Sequence, residues 1–152
     1  RILVKAAPVP LLRGIPWMSH DYRHYDITAV GWEVQPDGLH EALTKVNDYG
    51  KVPRLYVTEN GAAYPDVLRG DRVADPRRTR FYQDHLAAVH QAQADGVPVH
   101  GYFCWSLMDN FEWAEGYRPR FGLVYVDYAT QRRVVKDSGR WFQSFLGGSA
   151  AG

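Results

Sequence analysis

The stretch VPVHGYFCWSL, residues 97–107, is largely apolar and follows a turn residue, Gly96. A continuous apolar run of strand length is typical of a strand covered on both faces in a parallel sheet. An earlier β-prone run, RLYVT at residues 54–58, is separated from it by a loop and a segment with a helical pattern. Because a strand, a helix and a second strand in this order form a parallel crossover unit, the sequence predicts an α/β fold.

Helices are predicted on both sides of these strands. One is capped by Asp37 and ends at Gly50, a second begins at about Asp75 and closes at Gly96, and a third follows Asp137. The alternation of helices and strands is the pattern of a (β/α)8 TIM barrel, which needs eight strands and about 250 residues. The chain has 152 residues. The pattern therefore fits such a barrel and the length does not, which predicts an incomplete barrel.

Composition argues against several classes of partner. The formal net charge of +1 and the lack of a basic stripe disfavour nucleic acid, and no apolar run is long enough to cross a membrane. Cys104 is the only cysteine, and its apolar surroundings indicate a buried hydrophobe. Because the chain has no internal disulfide and no visible secretion signal, we predict a cytoplasmic location. The oligomeric state is not predicted.

Histidines and arginines give no sign of a metal or phosphate site. His20 and His24 lie in an irregular segment at residues 1–30, and His85 and His90 are poorly spaced for one helix face, so no complete metal set is visible. We predict a solvated loop and helix start for the following cluster of arginines: Arg69, Arg72, Arg77, Arg78 and Arg80.

Two stretches combine a strand end with carboxylates and aromatic rings. Glu59 follows the strand at 54–58, at the edge where catalysis occurs in a parallel barrel, although a solvated acid is the simpler interpretation of its position alone. In WSLMDNFEW, residues 105–113, two indoles flank acids and an amide, which suits a sugar site as well as a packed loop. Retaining glycosidases place two carboxylates roughly 5–5.5 Å apart. Whether Glu59 and Glu112 form such a pair stays open at this point.

Seven stretches, in the proper order, resemble glycoside hydrolase family 1, and the resemblance extends from about Ala29 to Phe145. They are GWEV (31–34), PDGL (36–39), YVTENG (56–61), WSLMDNFEW (105–113), GY (116–117), RFGLVYVD (120–127) and KDS (136–138). Residues 1–152 are therefore interpreted as the C-terminal part of one catalytic domain. It would contain an irregular long loop at 1–30 and a family-like segment at 31–147, which holds the last two barrel strands with their helices.

The resemblance implies roles for five residues. Glu59 matches the catalytic nucleophile, Trp105 the indole beneath the sugar, and Glu112 the carboxylate that binds the distal hydroxyls. Trp113 matches an indole N–H donor beside Glu112, and Phe121 an aromatic wall near the C6 end of the sugar. Glu112 is then not the acid/base partner. The acid/base glutamate of the family belongs to an Asn-Glu-Pro motif, which these 152 residues do not contain.

The activity implied by the resemblance is retaining hydrolysis of terminal β-D-glucosyl or related β-glycosyl residues, by double displacement. The expected partner is a β-glucoside or an oligosaccharide, and no cofactor or metal is implied. Without the acid/base glutamate, we expect the 152 residues alone to be inactive. Two alternatives stay open, a non-catalytic or vestigial sugar-binding fragment and a phospho-β-glycosidase. Glu112 would repel a sugar phosphate, which favours an unphosphorylated substrate.

Overall fold

The computed structural model describes residues 26–50 and 52–148. Most of the irregular segment predicted at 1–30 lies outside the described residues. The elements in chain order are α1 (Pro36–Gly50), β1 (Leu55–Asn60), β2 (Leu68–Arg69), β3 (Arg72–Val73), α2 (Pro76–Ala94), β4 (Val99–Cys104), a 3-10 turn (Trp113–Glu115), β5 (Val124–Val126), β6 (Arg133–Val135) and α3 (Asp137–Gly148).

Strands β1 and β4 form the parallel crossover unit that the sequence predicts. They are neighbours in a two-stranded parallel sheet, with Leu55 opposite Val99 and Asn60 opposite Cys104, and α2 connects them. The other two sheets are antiparallel hairpins, β2 with β3 and β5 with β6. Over the described ranges there is no closed barrel, so the structure shows one unit of an α/β fold.

The main core lies between this sheet and the helices. Side chains of α1, β1, α2, β4 and the turn before β4 form one buried cluster: Leu43, Val57, Val89, Ala92, Val97 and Val99. The prediction that residues 97–107 are covered on both faces is wrong in this structure. Val99 is buried in the core, whereas Phe103 is 58% exposed, because no described element packs on the opposite face of the sheet. Strand β4 is correspondingly shorter than the apolar run.

The predicted boundaries of α2 and the end of α1 at Gly50 are confirmed, but α1 begins at Pro36, so Asp37 lies in its first turn and does not cap it. Pro76 opens α2, where its missing N–H costs no hydrogen bond. Beyond the end of this helix, Gly96 has a φ of +88°, a conformation that glycine adopts without steric cost. The hairpin of β5 and β6 pairs Val124 with Val135 and Val126 with Arg133. The short β2–β3 hairpin was not predicted, since two-residue strands carry too little periodicity to be recognised.

A network of buried ion pairs links loop segments that are far apart in the sequence. It joins carboxylates to cations from four segments of the chain: Asp66, Asp75 and Asp109 with Arg78, Arg120 and Lys136. The prediction of a solvated arginine cluster is therefore wrong for Arg78, whose side chain is fully buried. It binds the two carboxylates of Asp66 and Asp75 and the carbonyl oxygens of Ala62 and Arg120. Such a charge is tolerated in an interior only when it is paired and hydrogen-bonded.

None of the helices in the described part of the chain is long and apolar enough to cross a membrane.

Candidate active site

The C-terminal ends of β1 and β4 meet at one edge of the sheet, because the two strands are parallel. Asn60 lies opposite Cys104, and the backbone N–H of Trp105 donates to the carbonyl oxygen of Asn60 at 2.9 Å. Glu59 precedes this junction and Trp105 follows it. The structure therefore brings together the two stretches that the sequence analysis singled out.

Glu59 lies within β1, as its penultimate residue, rather than just after the strand as expected. Strict alternation would point Glu59 to the same side as Val57, which is buried against the helices. Between the paired positions Val57–Tyr102 and Asn60–Cys104, however, β1 has one more residue than β4. An extra residue of this kind bends a strand and redirects its side chains, and such bulges are common next to active sites. Glu59 is accordingly exposed.

Gly61 allows the chain segments that carry Glu59 and Trp105 to approach closely. A Cβ atom at this position would lie 1.8 Å from the carbonyl oxygen of Trp105, so no other residue fits without moving the backbone. Two phenols, one buried and one half-buried, add hydrogen bonds at the same junction. The hydroxyl of Tyr82 donates to the carbonyl oxygen of Trp105 at 3.2 Å, and the hydroxyl of Tyr102 donates to Oδ1 of Asn60 at 2.6 Å. Burial raises the pKa of Tyr102, which keeps its phenol a donor.

The loop after β4 brings Trp105 and Glu112 into contact. Nε1 of the Trp105 indole donates to Oε1 of Glu112 at 3.2 Å. The peptide bond between Trp105 and Ser106, at the start of this loop, is cis. Trp113 follows Glu112 with a φ of +47° and is 81% exposed. An indole and a carboxylate are thus held side by side next to a strongly exposed second indole, which provides both a stacking surface and a hydrogen-bond acceptor.

The remaining predicted site residue, Phe121, is only 4% exposed and packs near Trp32, with the ring centroids 6.0 Å apart. A sugar could reach no more than a small part of this ring in the arrangement observed. Asn110, whose amide the sequence analysis treated as a possible hydroxyl ligand, instead donates to Oγ of Ser106 and to the carbonyl oxygen of Met108. The roles given to these residues stay predictions.

Three residues near the site escaped the sequence analysis as functional candidates: the buried Tyr82 and Asp109 and the half-buried Tyr102. The hydroxyls of both phenols lie at the junction described above. Asp109 was noted only as one acid of the loop, yet its side chain is fully buried. The sequence did contain a signal for Asp109. Apolar Leu107 and Met108 precede it and Phe111 and Trp113 follow it, which is unusual for a solvated loop.

Cys104 ends β4 directly before Trp105, and burial raises the pKa of its thiol from an ordinary value of 9.0 to about 12. Because the thiolate is the reactive form, its fraction at pH 8 falls roughly a thousandfold. We therefore expect iodoacetamide to label Cys104 far more slowly in the folded full-length protein than in urea, as followed by peptide mass spectrometry. Equal labelling rates in the two states would contradict the interpretation of Cys104 as an inert core residue.

Across residues 26–50 and 52–148, no three His, Cys, Asp or Glu side chains are grouped so that they could hold a metal ion.

A family model described as glycosyl hydrolase family 1 matches residues 12–149. The chain belongs to glycosyl hydrolase family 1. It is 52% identical over 120 residues to β-glucosidase A of Thermotoga maritima, an alignment that covers 78% of this chain and 27% of the relative. It is also 43% identical over 113 residues to a 6-phospho-β-galactosidase of Clostridium acetobutylicum, covering 74% of this chain and 24% of that relative.

Solved structures of the family agree with the fold of this family 1 chain. A family 1 β-glucosidase from Thermotoga maritima in complex with isofagomine lactam superposes with a TM-score of 0.80 at 50% identity, over 82% of this chain and 29% of that one. The chain thus spans about a quarter of the length of these relatives. Both the β1–α2–β4 unit and the loop after β4 lie within the residues that the family model matches.

Proposed function

We propose that this chain carries the nucleophile and part of the sugar site of a retaining β-glycosidase, and that the full-length protein hydrolyses terminal β-D-glucosyl residues. The observation that supports this most directly is the position of Glu59. Its exposed carboxylate lies one residue before Asn60, whose carbonyl oxygen accepts from the backbone N–H of Trp105, in a chain that belongs to a family of glycosidases. The same proposal interprets the β1–α2–β4 unit as the last two strands of a (β/α)8 barrel.

In the proposed reaction, an oxygen of the Glu59 carboxylate attacks the anomeric carbon of the sugar, and the bond to the leaving-group oxygen breaks. A glycosyl ester forms on Glu59, and water then attacks the same carbon and releases both the sugar and the carboxylate. Two inversions give overall retention. The proton that the leaving group needs comes from an acid/base residue, which we assign to the part of the family 1 relatives that this chain does not cover.

The groups after β4 would bind the sugar. Trp105 would lie beneath the ring, Glu112 would accept hydrogen bonds from its distal hydroxyls, and Trp113 would donate beside it. Phe121 would contribute an edge near C6. Because Trp105 Nε1 already donates to Glu112, this carboxylate is oriented before any sugar arrives, which lowers the entropy lost on binding.

A phosphorylated sugar is the main competing substrate, since one relative is a 6-phospho-β-galactosidase. The charge of Glu112 favours the unphosphorylated sugar, because two anions at short range repel each other. We expect the full-length protein to have a higher kcat/KM for 4-nitrophenyl β-D-glucoside than for its 6-phosphate. A preference for the phosphate would replace the proposed substrate with a sugar phosphate, and turnover of neither would refute the proposed activity.

Replacing Glu112 by alanine in the full-length protein tests its assigned role. We expect KM for the aryl glucoside to rise, since each charge-assisted hydrogen bond that is lost is worth about 1.5–3 kcal/mol. If these bonds strengthen in the transition state, kcat falls as well. The steady-state kinetics of Glu115→Ala, an exposed carboxylate three residues later, provide the comparison. Unchanged kinetics for Glu112→Ala would remove Glu112 from the sugar site.

A further inference from the structure

Asp109 is a buried anchor inside the loop that carries Glu112 and Trp113. Its side chain has no exposed surface and accepts hydrogen bonds from Nζ of Lys136 at 2.7 Å and from a terminal guanidinium nitrogen of Arg120. It also accepts from the backbone N–H groups of Gly122 at 3.0 Å and Val126 at 3.3 Å. Two cations and two amides therefore converge on one carboxylate, which neutralises its charge and uses its acceptor sites.

The partners of Asp109 belong to the elements that frame the loop. Val126 lies in β5, Lys136 directly precedes α3, and the backbone N–H of Asp109 itself donates to the carbonyl oxygen of Val124 at 3.0 Å. Gly122 passes so close that a Cβ atom there would lie 2.1 Å from the Asp109 nitrogen. The middle of the loop is thus fixed to the hairpin and to the start of the last helix.

The proposed sugar-binding residues lie on both sides of Asp109 in the sequence. Trp105 lies four residues before Asp109 and Glu112 three residues after it, and these two side chains are hydrogen-bonded to each other. Within the loop, the side-chain amide of Asn110 donates to Oγ of Ser106. A shift of Asp109 would therefore move Glu112 relative to Trp105, although the Asp109 side chain itself, being buried, is not placed to touch a sugar.

We propose that Asp109 is a positioning residue of the sugar site, which sets the placement of Glu112 and Trp113 through its bonds to Lys136, Arg120, Gly122 and Val126. This inference rests on the proposed glycosidase function. A displacement of a binding group by about 1 Å can reduce catalysis a hundredfold, so even a small relaxation of the loop is expected to be measurable.

Asp66 provides a matched control for the loss of buried charge. It is as deeply buried as Asp109 and accepts from the same Lys136 as well as from Arg78, but it lies in the loop between β1 and β2. Asp109→Asn and Asp66→Asn each remove one carboxylate charge from the same network. Both variants are expected to be less stable than the wild type, and only the first should alter the sugar site.

The kinetic test uses the full-length protein and 4-nitrophenyl β-D-glucoside. We expect Asp109→Asn to raise KM at least about tenfold, with Asp66→Asn within about twofold of the wild type. If Asp109→Asn does not fold, Arg120→Lys is the milder variant, since it keeps the charge but replaces the planar guanidinium that donates to Asp109 and to the carbonyl oxygen of Val126; it should raise KM by a smaller factor. An active wild type with equal KM values in both aspartate variants would overturn the inference and leave the proposed function intact.

A second measurement is independent of activity. The Trp105 indole N–H bonds to Glu112, and its hydrogen-exchange rate can be followed by NMR after assignment with Trp105→Phe. We expect exchange to be faster in Asp109→Asn and unchanged in Asp66→Asn. If the wild type fails to hydrolyse the glucoside, the proposed function is wrong, and this exchange rate still decides whether Asp109 positions the Trp105–Glu112 pair. Equal exchange rates in the two variants would overturn the positioning role.

Discussion

Replacing Glu59 by glutamine in the full-length protein is expected to lower kcat for an aryl β-glucoside by several orders of magnitude while the fold survives. Glutamine keeps the size of the side chain but provides no negatively charged oxygen to attack the anomeric carbon. Glu59 is exposed at the end of β1, so the substitution leaves the buried core untouched. Circular dichroism and the melting temperature should therefore match those of the wild type.

Rescue by a small anion distinguishes the loss of a nucleophile from the loss of a binding group. Glu59→Ala leaves a space below the anomeric carbon, and added azide is expected to enter it and restore part of the turnover of an activated glucoside. Because only one displacement then occurs, the product should be the inverted glycosyl azide, identifiable by NMR.

A carboxylate far from the site provides the control for Glu59. Glu41→Gln alters an exposed side chain of α1 that pairs with Lys45 across one helical turn, and we expect its kcat to equal that of the wild type. Near-normal kcat in Glu59→Gln, or a glycosyl azide of retained configuration from Glu59→Ala, would exclude Glu59 as the nucleophile.

The parallel unit is predictable because local patterns and tertiary structure agree there. The apolar runs at 54–58 and 97–107 flank a helix whose ends are marked by Pro76 and Gly96, and only one common arrangement satisfies that order. The site is predictable for a related reason, since parallel strands bring residues that follow them to one edge. This is why the backbones of Asn60 and Trp105 are hydrogen-bonded to each other although 45 positions separate them.

The sequence does not show in which direction the Glu59 side chain points or which contacts fix the loop after β4. The extra residue in β1 depends on the pairing with β4, and a register has no signature in a single strand. Arg78 illustrates the same limit. Its neighbours in the sequence are polar and charged, which predicts solvent exposure, and the groups that bury it arrive from distant segments around Asp66 and Arg120.

Replacing Arg78 by methionine is therefore expected to cause a large loss of stability. All five N–H groups of the guanidinium are used: Nε binds the carbonyl oxygen of Ala62, and the terminal nitrogens bind Asp66, Asp75 and the carbonyl oxygen of Arg120. Methionine fills similar space but leaves Asp75 without the guanidinium and Asp66 with Lys136 as its remaining cation. Removing one partner of a buried ion pair costs about 3–5 kcal/mol, and urea unfolding of the full-length protein measures it.

Two further substitutions separate the contribution of the buried geometry from that of charge alone. Arg78→Lys keeps the positive charge but has three donors instead of a planar fork of five, so we expect a loss of stability smaller than that of Arg78→Met and still clearly measurable.

Arg80→Met removes the same type of side chain two residues later on α2, where it is 76% exposed and pairs with Asp84. Exposed pairs contribute about 0–1 kcal/mol. Comparable losses for Arg80→Met and Arg78→Met would mean that the buried network does not stabilise the fold, because the two variants differ chiefly in whether the charge they remove is paired in the interior.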